Sequence, residues 1–245
     1  MTAQEVFSIA RAQLAIDLNC SADDFDRDGF VFCEAKEQIG RRPFPRGERH
    51  FEMLTMGRAI IISATADILP YVREQLDGRS RDEAFSMPFV SGHGLYYLPD
   101  SICAPPVADG VELSLVERAD IPALYETEGF RNAIMYDIQH PRPDVLVTLA
   151  KIGDIIVGMA GASADCARMW QIGIDVLPTY RRGGLAAALT GMLAEEILRR
   201  DKVPYYGTST ANIPSQRVAH RAGFRPAWMC AYRGLFDGVL TGPTG

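Results

Sequence analysis

The sequence contains no long hydrophobic run. Its longest stretch dominated by apolar residues, Ala59 to Leu69, is too short to cross a bilayer and is interrupted by Ser63, Thr65 and Asp67. Charged residues also interrupt the first twenty positions, which therefore lack the apolar core of a signal peptide. These absences predict a cytoplasmic protein that has no membrane partner.

The sequence also lacks a basic cluster. Its 25 lysine and arginine residues occur in no run longer than a pair, and the net charge is −6. Because nucleic-acid binding needs concentrated positive charge, we expect no nucleic-acid partner and favour a small or cationic one. The five cysteines are scattered without a C-x-x-C pair, which is typical of reduced thiols and argues against zinc. We therefore expect no metal.

What the chain does have is the composition of a globular protein, with 245 residues of which 47% are hydrophobic and 23% charged.

Three prolines and a glycine within Pro99 to Gly110 interrupt any periodic pattern. We place a boundary there, between an N-terminal unit of residues 1–104 and a second domain of residues 105–245. The first is predicted to be a small α/β unit of unknown role, with a helix at Gln4–Leu18, strands within Phe51–Ala64 around Gly57, and a helix at Ala66–Leu76.

Downstream, strand and helix patterns alternate clearly. The predicted elements are a strand at Val111–Val116, a helix at Ala119–Glu128, a hairpin of Asp144–Lys151 and Ile155–Ala162, a strand at Met169–Leu177, a helix at Gly184–Arg200 and a strand at Tyr205–Thr210. The last three form a strand, helix, strand unit. Such a unit favours a right-handed crossover that puts the helix N-terminus at the carboxyl edge of the sheet.

A glycine-rich turn opens that last helix, with the sequence Arg181-Arg182-Gly183-Gly184-Leu185-Ala186. Two glycines let successive backbone N–H groups point into one concavity, and a helix start adds unsatisfied donors and a positive dipole end. The small Ala186 lets a phosphate come close, and the two arginines add positive charge. The turn therefore predicts an anion site, and the alternative is a plain connector between strand and helix.

The motif of this turn is by itself weak evidence for an anion site, because a Gln/Arg-x-x-Gly-x-Gly/Ala pattern arises by chance about once in every two proteins of this length. Its context is more specific. The turn follows a strand that ends in Val176-Leu177-Pro178, and further on come Asn212-Ile-Pro-Ser215 and Ala222-Gly223-Phe224. It also lacks the glycine and lysine spacing of the common nucleotide-binding loops, so a nucleotide-binding enzyme is the weaker interpretation.

With these motifs, Val111 to Arg233 resembles the GNAT superfamily of acyl-CoA N-acyltransferases. The resemblance implies a mixed α/β (α+β) fold with a largely antiparallel sheet flanked by helices, and direct transfer from acetyl-CoA without an acyl-enzyme. It implies that the backbone near Val176 binds the pantetheine arm and that Asn212 and Ser215 contact the cofactor from the following helix. The residues that it assigns to the pyrophosphate are Arg181, Arg182, Gly183, Gly184, Leu185 and Ala186.

Within that superfamily, the chain is similar to a bacterial subgroup of two-part proteins. Gly158-Met-Ala-Gly161, Pro204-Tyr-Tyr-Gly207 and Pro226-Ala-Trp228 carry this similarity, together with the strand that begins at Met169. A looser similarity connects the chain to self-resistance acetyltransferases of the zwittermicin type. Neither similarity implies a particular substrate.

The catalytic residues are where this sequence departs from its relatives. The family often places a tyrosine acid five residues before the Phe of Gly-Phe, and this position is Ala219. Many relatives carry a base on the family's fourth strand, which the resemblance places at Met169–Val176, and the two corresponding positions here are Trp170 and Ile172. A general base and a general acid therefore have to be sought elsewhere.

Three residues remain as catalytic candidates. Asp175 is the only carboxylate of the fourth strand, although alternation points it away from the face of Ile172 and Ile174, and its alternative is a structural aspartate that bonds backbone N–H groups. His220 and Tyr206 are candidate proton donors, with surface or packing roles as their alternatives. Further carboxylates that could attract a cationic acceptor, or be ordinary solvated residues, are Glu126, Glu128 and Asp165.

Two functions stay open. The first is an N-acetyltransferase that moves an acetyl group from acetyl-CoA to a primary amine of a small molecule. The second is an acyl-CoA-binding regulatory module with little or no catalysis, motivated by the missing tyrosine acid. The oligomeric state and the preference among acyl-CoAs do not follow from the sequence.

Overall fold

The computed structural model describes residues 1–42 and 49–236. They fall into two compact units. The first unit consists of Met1–Ala10 and Tyr96–Pro226, and the second of Arg11–Leu95 together with the chain from Ala227. The domain boundary expected between residues 104 and 105 stays a prediction, since compact packing does not by itself define a domain.

The secondary structure alternates between short helices and strands. In chain order the elements are α1 (Ala3–Leu18), the 3₁₀ helix η1 (Ala22–Asp26), β1 (Gly29–Glu34), β2 (Phe51–Thr55), β3 (Ala59–Ala64), α2 (Leu69–Leu76), α3 (Arg81–Phe85), β4 (Val90–Pro99), β5 (Glu112–Glu117), η2 (Ile121–Glu126), β6 (Asp144–Ile152), β7 (Ile155–Ala164), β8 (Met169–Val176), η3 (Pro178–Tyr180), α4 (Leu185–Arg199), β9 (Val203–Ser209), α5 (Ile213–Arg221) and β10 (Phe224–Gly234). Among the described residues, no helix has the length and apolar character needed to cross a membrane.

The first unit is built on a mixed sheet. Its strands lie in the order β4, β9, β8, β7, β6, β5, with β5 to β8 antiparallel and β8 parallel to β9. The helix α4 is rich in alanine and leucine, which favour helix, and packs its buried face on this sheet. Thr148 of β6 donates from its buried hydroxyl to the carbonyl of Leu189 at 3.1 Å, which fixes α4 against the sheet.

The opposite face of the sheet is covered by a short segment that follows η2, residues 130–134. Gly161 of β7 and Gly173 of β8 are neighbours in the sheet, and both lie directly under this segment. A Cβ atom at Gly173 would lie 1.7 Å from the carbonyl oxygen of Asn132, and one at Gly161 would lie 1.9 Å from that of Ala133. Glycine is therefore required at both positions, because only hydrogen leaves room for the approaching backbone.

In the second unit the strands lie in the order β1, β3, β2, β10, β4. β1 runs parallel to β3, whereas β2 pairs antiparallel with β3 and with β10. Its core is aromatic: Phe51 packs edge-on against Phe89 and Phe236, with ring centroids 6.0 and 5.7 Å apart. This unit can therefore bury a hydrophobic core of its own.

The predicted fold class is confirmed, with a mixed and largely antiparallel set of strands flanked by helices. The strand predicted across Phe51–Ala64 is a hairpin that turns at Gly57, whose φ is 128°. The helix predicted at Ala119–Glu128 is wrong, since only a 3₁₀ helix forms there. Its first residue has no side-chain cap, Pro122 lacks an N–H group, and Gly129 with φ 99° stops the chain from continuing.

Candidate active site

Strands β8 and β9 run side by side and then part. They are paired from Met169 with Val203 to Ile172 with Tyr206, and no further pair forms between the described residues of the two strands. Each strand nevertheless continues beyond its last paired residue, β8 to Val176 and β9 to Ser209. We call this opening, between residues 173–176 and 207–209, the fork.

The β8 side of the fork presents backbone groups. Leu177 donates its N–H to the carbonyl of Val157 at 3.0 Å. The residues of β8 whose backbone groups bond to β7 are therefore every second residue counted back from Leu177. Because bonding direction alternates along an antiparallel pair, the N–H and C=O groups of Ile174 and Val176 point to the other edge. The carbonyl of Val176 accepts a hydrogen bond from Arg181 Nε at 2.8 Å. This leaves the groups of Ile174 and the N–H of Val176 facing the fork.

The predicted anion turn follows the end of β8 and the short 3₁₀ helix η3. Arg182 has φ 72° and Gly184 has φ 86°, two left-handed residues that bracket Gly183. The backbone N–H groups of residues 182–186 find no acceptor among the described residues, and Gly184 provides no side chain to cap α4. Successive unpaired N–H groups at a helix start are the usual protein site for a phosphate.

The two arginines of the turn differ in their roles. Arg181 uses its Nε to hold the carbonyl of Val176, so it ties the strand end to the turn. Arg182 is exposed, and its left-handed backbone is uncommon for a residue with a side chain. Such local strain is often stored at binding sites.

Helix α5 contributes the predicted Asn212 and Ser215. The Asn212 side chain caps this helix by accepting a hydrogen bond from the Ser215 N–H at 3.2 Å. The Ser215 hydroxyl is hydrogen-bonded to the Tyr206 hydroxyl at 2.8 Å. The structure thus brings together Ser215 from the predicted cofactor set and Tyr206 from the predicted catalytic set.

Tyr206 lies on β9 at the point where the fork begins, and only 2% of it is exposed. Burial raises the pKa of Tyr206 to about 12, although its hydrogen bond with Ser215 acts in the opposite direction. The phenol is therefore protonated throughout the neutral range. It can donate a hydrogen bond there but cannot act as a base.

Tyr97 is a neighbour that the sequence did not reveal. It is fully buried, its ring meets Tyr206 edge-on at 6.4 Å and His220 at 5.5 Å, and its hydroxyl has no partner among the described residues. His220 is exposed and packs on this ring, which agrees with the packing alternative for that histidine. Tyr97 comes long before the motifs, so no local pattern connects it with them.

Asp175 faces away from the fork. The β7–β8 register has no shift, so the alternation that the sequence predicted holds and Asp175 points to the side of the 130–134 segment. Its carboxylate accepts from the Asn132 N–H and Nδ2 at 2.7 Å each and from the Ala133 N–H at 3.2 Å. This is the structural alternative for Asp175, and a carboxylate so occupied is poorly placed to act as a base.

Asp165 is also occupied. It is 5% exposed and accepts hydrogen bonds from Ser163 at 2.7 Å, from Arg142 at 3.3 Å and from the Tyr205 hydroxyl. A paired and buried carboxylate does not attract a cationic acceptor. Of the three carboxylates considered for that purpose, only Glu126 and Glu128 are exposed.

Comparison with known proteins agrees with this geometry. Residues 112–224 match the model of the Acetyltransferase (GNAT) family, in which acetyl-CoA is the acyl donor. No match was found among curated proteins.

Similar solved structures include an acetyltransferase of the GNAT family from Novosphingobium aromaticivorans, 23% identical, with 57% of this chain and 62% of that chain covered and a TM-score of 0.40. This chain therefore spans less than two thirds of that protein. A GCN5-related N-acetyltransferase-like protein from Streptococcus suis is 17% identical, with 72% of each chain covered and a TM-score of 0.45. An acetyltransferase from Salmonella typhimurium, solved with its cofactor acetyl-CoA, is 17% identical, with 52% of this chain and 94% of that chain covered and a TM-score of 0.39. The residues that match the family model, 112–224, hold both the fork and the turn.

Proposed function

We propose that the first unit is an N-acetyltransferase that moves the acetyl group of acetyl-CoA directly to a primary amine of a small molecule. The observation that supports this most strongly is the fork between β8 and β9, which ends at a turn whose five backbone N–H groups have no acceptor within residues 1–42 and 49–236. The cofactor has an extended arm with amide groups and a pyrophosphate. The fork suits the arm, and the turn suits the pyrophosphate.

The residues of the turn fit this cofactor. Gly183 has no left-handed φ, and a Cβ atom there would meet nothing within 4 Å. The protein itself therefore does not require glycine at this position, whereas a phosphate that approaches the backbone closely would. In the proposal, the N–H groups of residues 182–186 bind the pyrophosphate, and the backbone groups of Ile174 and the N–H of Val176 bind the amides of the arm.

Acetyl-CoA, when bound, supplies the thioester whose carbonyl carbon the amine attacks. The protein's contribution is to orient this thioester with the backbone donors of β8 and to stabilise negative charge as it forms. Ser215 is the group we place beside the departing sulfur, and Tyr206 is its hydrogen-bond partner. Since the pKa of Tyr206 is about 12 and that of a thiol is about 8.5, the pair stabilises the thiolate by hydrogen bonding rather than by full proton transfer.

A small amine as the acceptor is the part of the proposal that rests on charge. The chain carries a net charge of −6, and two exposed carboxylates lie near the end of η2, Glu126 as its last residue and Glu128 two residues later. A cationic amine is attracted to such a surface before it loses its proton. With Asp175 occupied, water is left as the acceptor for that proton.

The runner-up is an acyl-CoA-binding module without efficient catalysis. The position of the family's tyrosine acid is Ala219, which is fully buried, and Ile172, at one of the usual base positions, is 2% exposed. Neither side chain can carry a proton. This module would bind acetyl-CoA but release no thiol when amines are added.

The test combines binding and turnover in one set of proteins. Acetyl-CoA affinity is measured by calorimetry, and thiol release is measured across a panel of amines, polyamines, aminoglycosides and amino acids. The variants are Gly184→Asp and its neutral match Gly184→Asn, since both side chains tolerate the left-handed backbone and neither Cβ meets a neighbour within 4 Å.

We expect Gly184→Asn to keep most of the affinity and Gly184→Asp to lose on the order of 100-fold, because like charges about 4 Å apart repel by a few kcal/mol near a protein surface. Normal acetyl-CoA affinity in Gly184→Asp would remove the turn from the cofactor site. Saturable binding without amine-dependent thiol release would favour the binding module.

A further inference from the structure

One buried carboxylate of the first unit has no positive partner. Three aspartates of the described residues are buried, and two of them form ion pairs, Asp17 with Arg42 and Asp165 with Arg142. The third, Asp144 at the start of β6, is 5% exposed and forms no ion pair with any described residue. Because a buried carboxylate is rarely left without a cation, we expect a ligand to bring a positive group to Asp144.

Asp144 uses only one of its two carboxylate oxygens. Its Oδ2 accepts hydrogen bonds from the Tyr125 hydroxyl at 3.0 Å and from the Met135 N–H at 2.9 Å. Its Oδ1 accepts none from the described residues, yet it is not sealed from solvent as the hydroxyls of Tyr97 and Thr190 are. A ligand can therefore reach Oδ1.

Two tyrosine rings lie beside this carboxylate. The ring of Tyr125, which donates to Asp144, lies 6.0 Å from the ring of Tyr136 at an angle of 41°, and both residues are half-buried. The Tyr136 hydroxyl is held in place, since it donates to the Thr127 carbonyl at 2.6 Å and accepts from the Phe130 N–H at 3.1 Å. The two rings are thus fixed before any ligand binds.

The groups around Asp144 fit an ammonium ion better than a metal ion. Burial raises the pKa of Asp144, and a cation at Oδ1 would act against this, as the Met135 N–H, the Tyr125 hydroxyl and a protonated His140 already do. A metal ion needs several ligands, and within residues 1–42 and 49–236 no three metal-ligating side chains come together. An ammonium ion can bind to a single carboxylate and is attracted by tyrosine rings.

Asp144 lies within reach of the fork. It pairs with Ser163 of β7, and Ser163 pairs with Gln171 of β8, two residues before the fork begins at Gly173. Strands about 4.8 Å apart with a rise of about 3.4 Å per residue put Asp144 on the order of 12 Å from Gly173. An extended molecule with an amino group at each end can span that distance.

We propose that Asp144, beside Tyr125, binds an ammonium group of the acceptor, and that the acceptor is therefore a long diamine. This rests on the proposed function. One amino group of the diamine stays at Asp144 as an ammonium ion, and the other enters the fork as the free amine. There its nitrogen forms a bond to the acetyl carbon, the carbon–sulfur bond breaks, and the proton that the nitrogen loses reaches the sulfur by way of water.

Direct binding to the full-length protein tests the ammonium site. The probe is 1,8-diaminooctane, titrated by calorimetry in the presence of CoA so that no acetyl group is transferred. In Asp144→Asn, the amide oxygen can still accept from Tyr125 and Met135, so the variant should fold, which circular dichroism and urea denaturation check. Its affinity for the probe should fall about tenfold or more, because a charge is lost where water screens it poorly.

Asp154→Asn is the matched control. It makes the same change of charge in the exposed turn at the other end of the β6–β7 hairpin, and it should bind the probe like the wild type. Equal probe affinities in Asp144→Asn and Asp154→Asn would overturn the ammonium site.

Wild-type kinetics connect the site with the acceptor and depend on no variant. Octylamine has the length of the probe but one amino group, and 1,3-diaminopropane has two that are too close together to span the distance. KM should be lower for 1,8-diaminooctane than for either amine, by about tenfold or more. In Asp144→Asn the difference from octylamine should disappear while kcat is kept.

A wild-type KM for 1,8-diaminooctane that is no lower than that for octylamine would overturn the assignment of a diamine acceptor. If no amine releases thiol, the proposed function itself fails. The calorimetric comparison of Asp144→Asn with Asp154→Asn still decides whether Asp144 binds ammonium.

Discussion

Two sets of backbone N–H groups in the first unit differ in whether they have a hydrogen-bond acceptor. In the 130–134 segment, the N–H groups of Asn132 and Ala133 converge on one anion, the carboxylate of Asp175. In the turn that opens α4, the N–H groups of residues 182–186 have no acceptor among the described residues. The first set is occupied by the protein's own carboxylate, and we propose that the second set binds the anion of a ligand.

The difference is that between a structural site and the proposed binding site. Hydrogen bonds to a charged group contribute about 1.5–3 kcal/mol each, so Asp175 can fix the 130–134 segment on the sheet without any ligand. The turn gains nothing of this kind until a ligand binds. Changes at the first set should therefore appear as lost stability, and changes at the second as lost acetyl-CoA affinity.

The largest effect is expected from Gly173→Ala. The added Cβ would lie 1.7 Å from the Asn132 carbonyl oxygen, and a backbone atom in a packed segment cannot move aside cheaply. We expect a loss of about 3 kcal/mol or more in the free energy of unfolding, measured by urea denaturation. Unchanged stability would mean that the 130–134 segment does not lie on β7 and β8 in solution.

The next largest effect is expected from Asp175→Ala, which leaves two backbone donors without their acceptor. The expected loss is about 2–3 kcal/mol, again by urea denaturation. Asp175→Asn is the matched control, because it keeps one acceptor oxygen and the shape, and it should lose less. If instead the stability of Asp175→Ala is kept and its thiol release falls with a changed pH profile, Asp175 takes part in catalysis. The 130–134 segment would then not be a purely structural site.

A smaller effect is expected from Tyr206→Phe, which removes the hydrogen bond to Ser215. The rate of thiol release at saturating substrates should fall about tenfold, which corresponds to roughly 1.4 kcal/mol, while the affinity for acetyl-CoA is kept. Because the pKa of Tyr206 is about 12, the phenol stays protonated at neutral pH, so the ratio of the two rates should be constant from pH 7 to about pH 9.

Ser215→Ala is the companion variant, and it should lose at least as much rate as Tyr206→Phe, since Ser215 is the group placed beside the sulfur. The double variant should lose little more than Ser215→Ala alone, because the two hydroxyls act through one hydrogen bond. This coupling would be contradicted by a ratio of wild-type to Tyr206→Phe rates that rises with pH. It would also be contradicted if the rate loss of the double variant equalled the product of the two single losses.

Local chemistry explains what the sequence could predict. The strand, helix, strand unit from β8 to β9 follows from periodicity, and the turn follows from two glycines placed between a strand and a helix. The face of Asp175 also followed from alternation, because no bulge resets the register of β8. These features depend on neighbours within a few residues, which a single sequence displays.

Long-range packing explains what the sequence could not predict. Asp175 and Asn132 lie 43 residues apart, and nothing in either stretch announces their hydrogen bonds. Tyr97 meets Tyr206 although the prediction put it in a different domain. The sequence predicts a longer helix where the 3₁₀ helix Ile121–Glu126 forms, because the ending at Gly129 depends on a backbone angle that the sequence does not display. The role of each catalytic candidate depended on such distant contacts.

The smallest effect on the stability of the folded protein is expected from Gly183→Ala, and this variant distinguishes most clearly between the two sets of N–H groups. Its backbone is not left-handed and the added methyl group meets nothing within 4 Å, so the free energy of unfolding should stay the same or rise by a few tenths of a kcal/mol, through a less flexible unfolded chain. The same methyl group would point into the space that a pyrophosphate needs. Acetyl-CoA affinity should therefore fall several-fold, by about 1 kcal/mol, in calorimetric titration.

Gly173→Ala is the opposite case, since its main effect should be on the free energy of unfolding rather than on acetyl-CoA affinity. A Gly183→Ala protein that binds acetyl-CoA as well as the wild type would show that glycine at 183 serves no close approach, and the turn would then be no more than a connector.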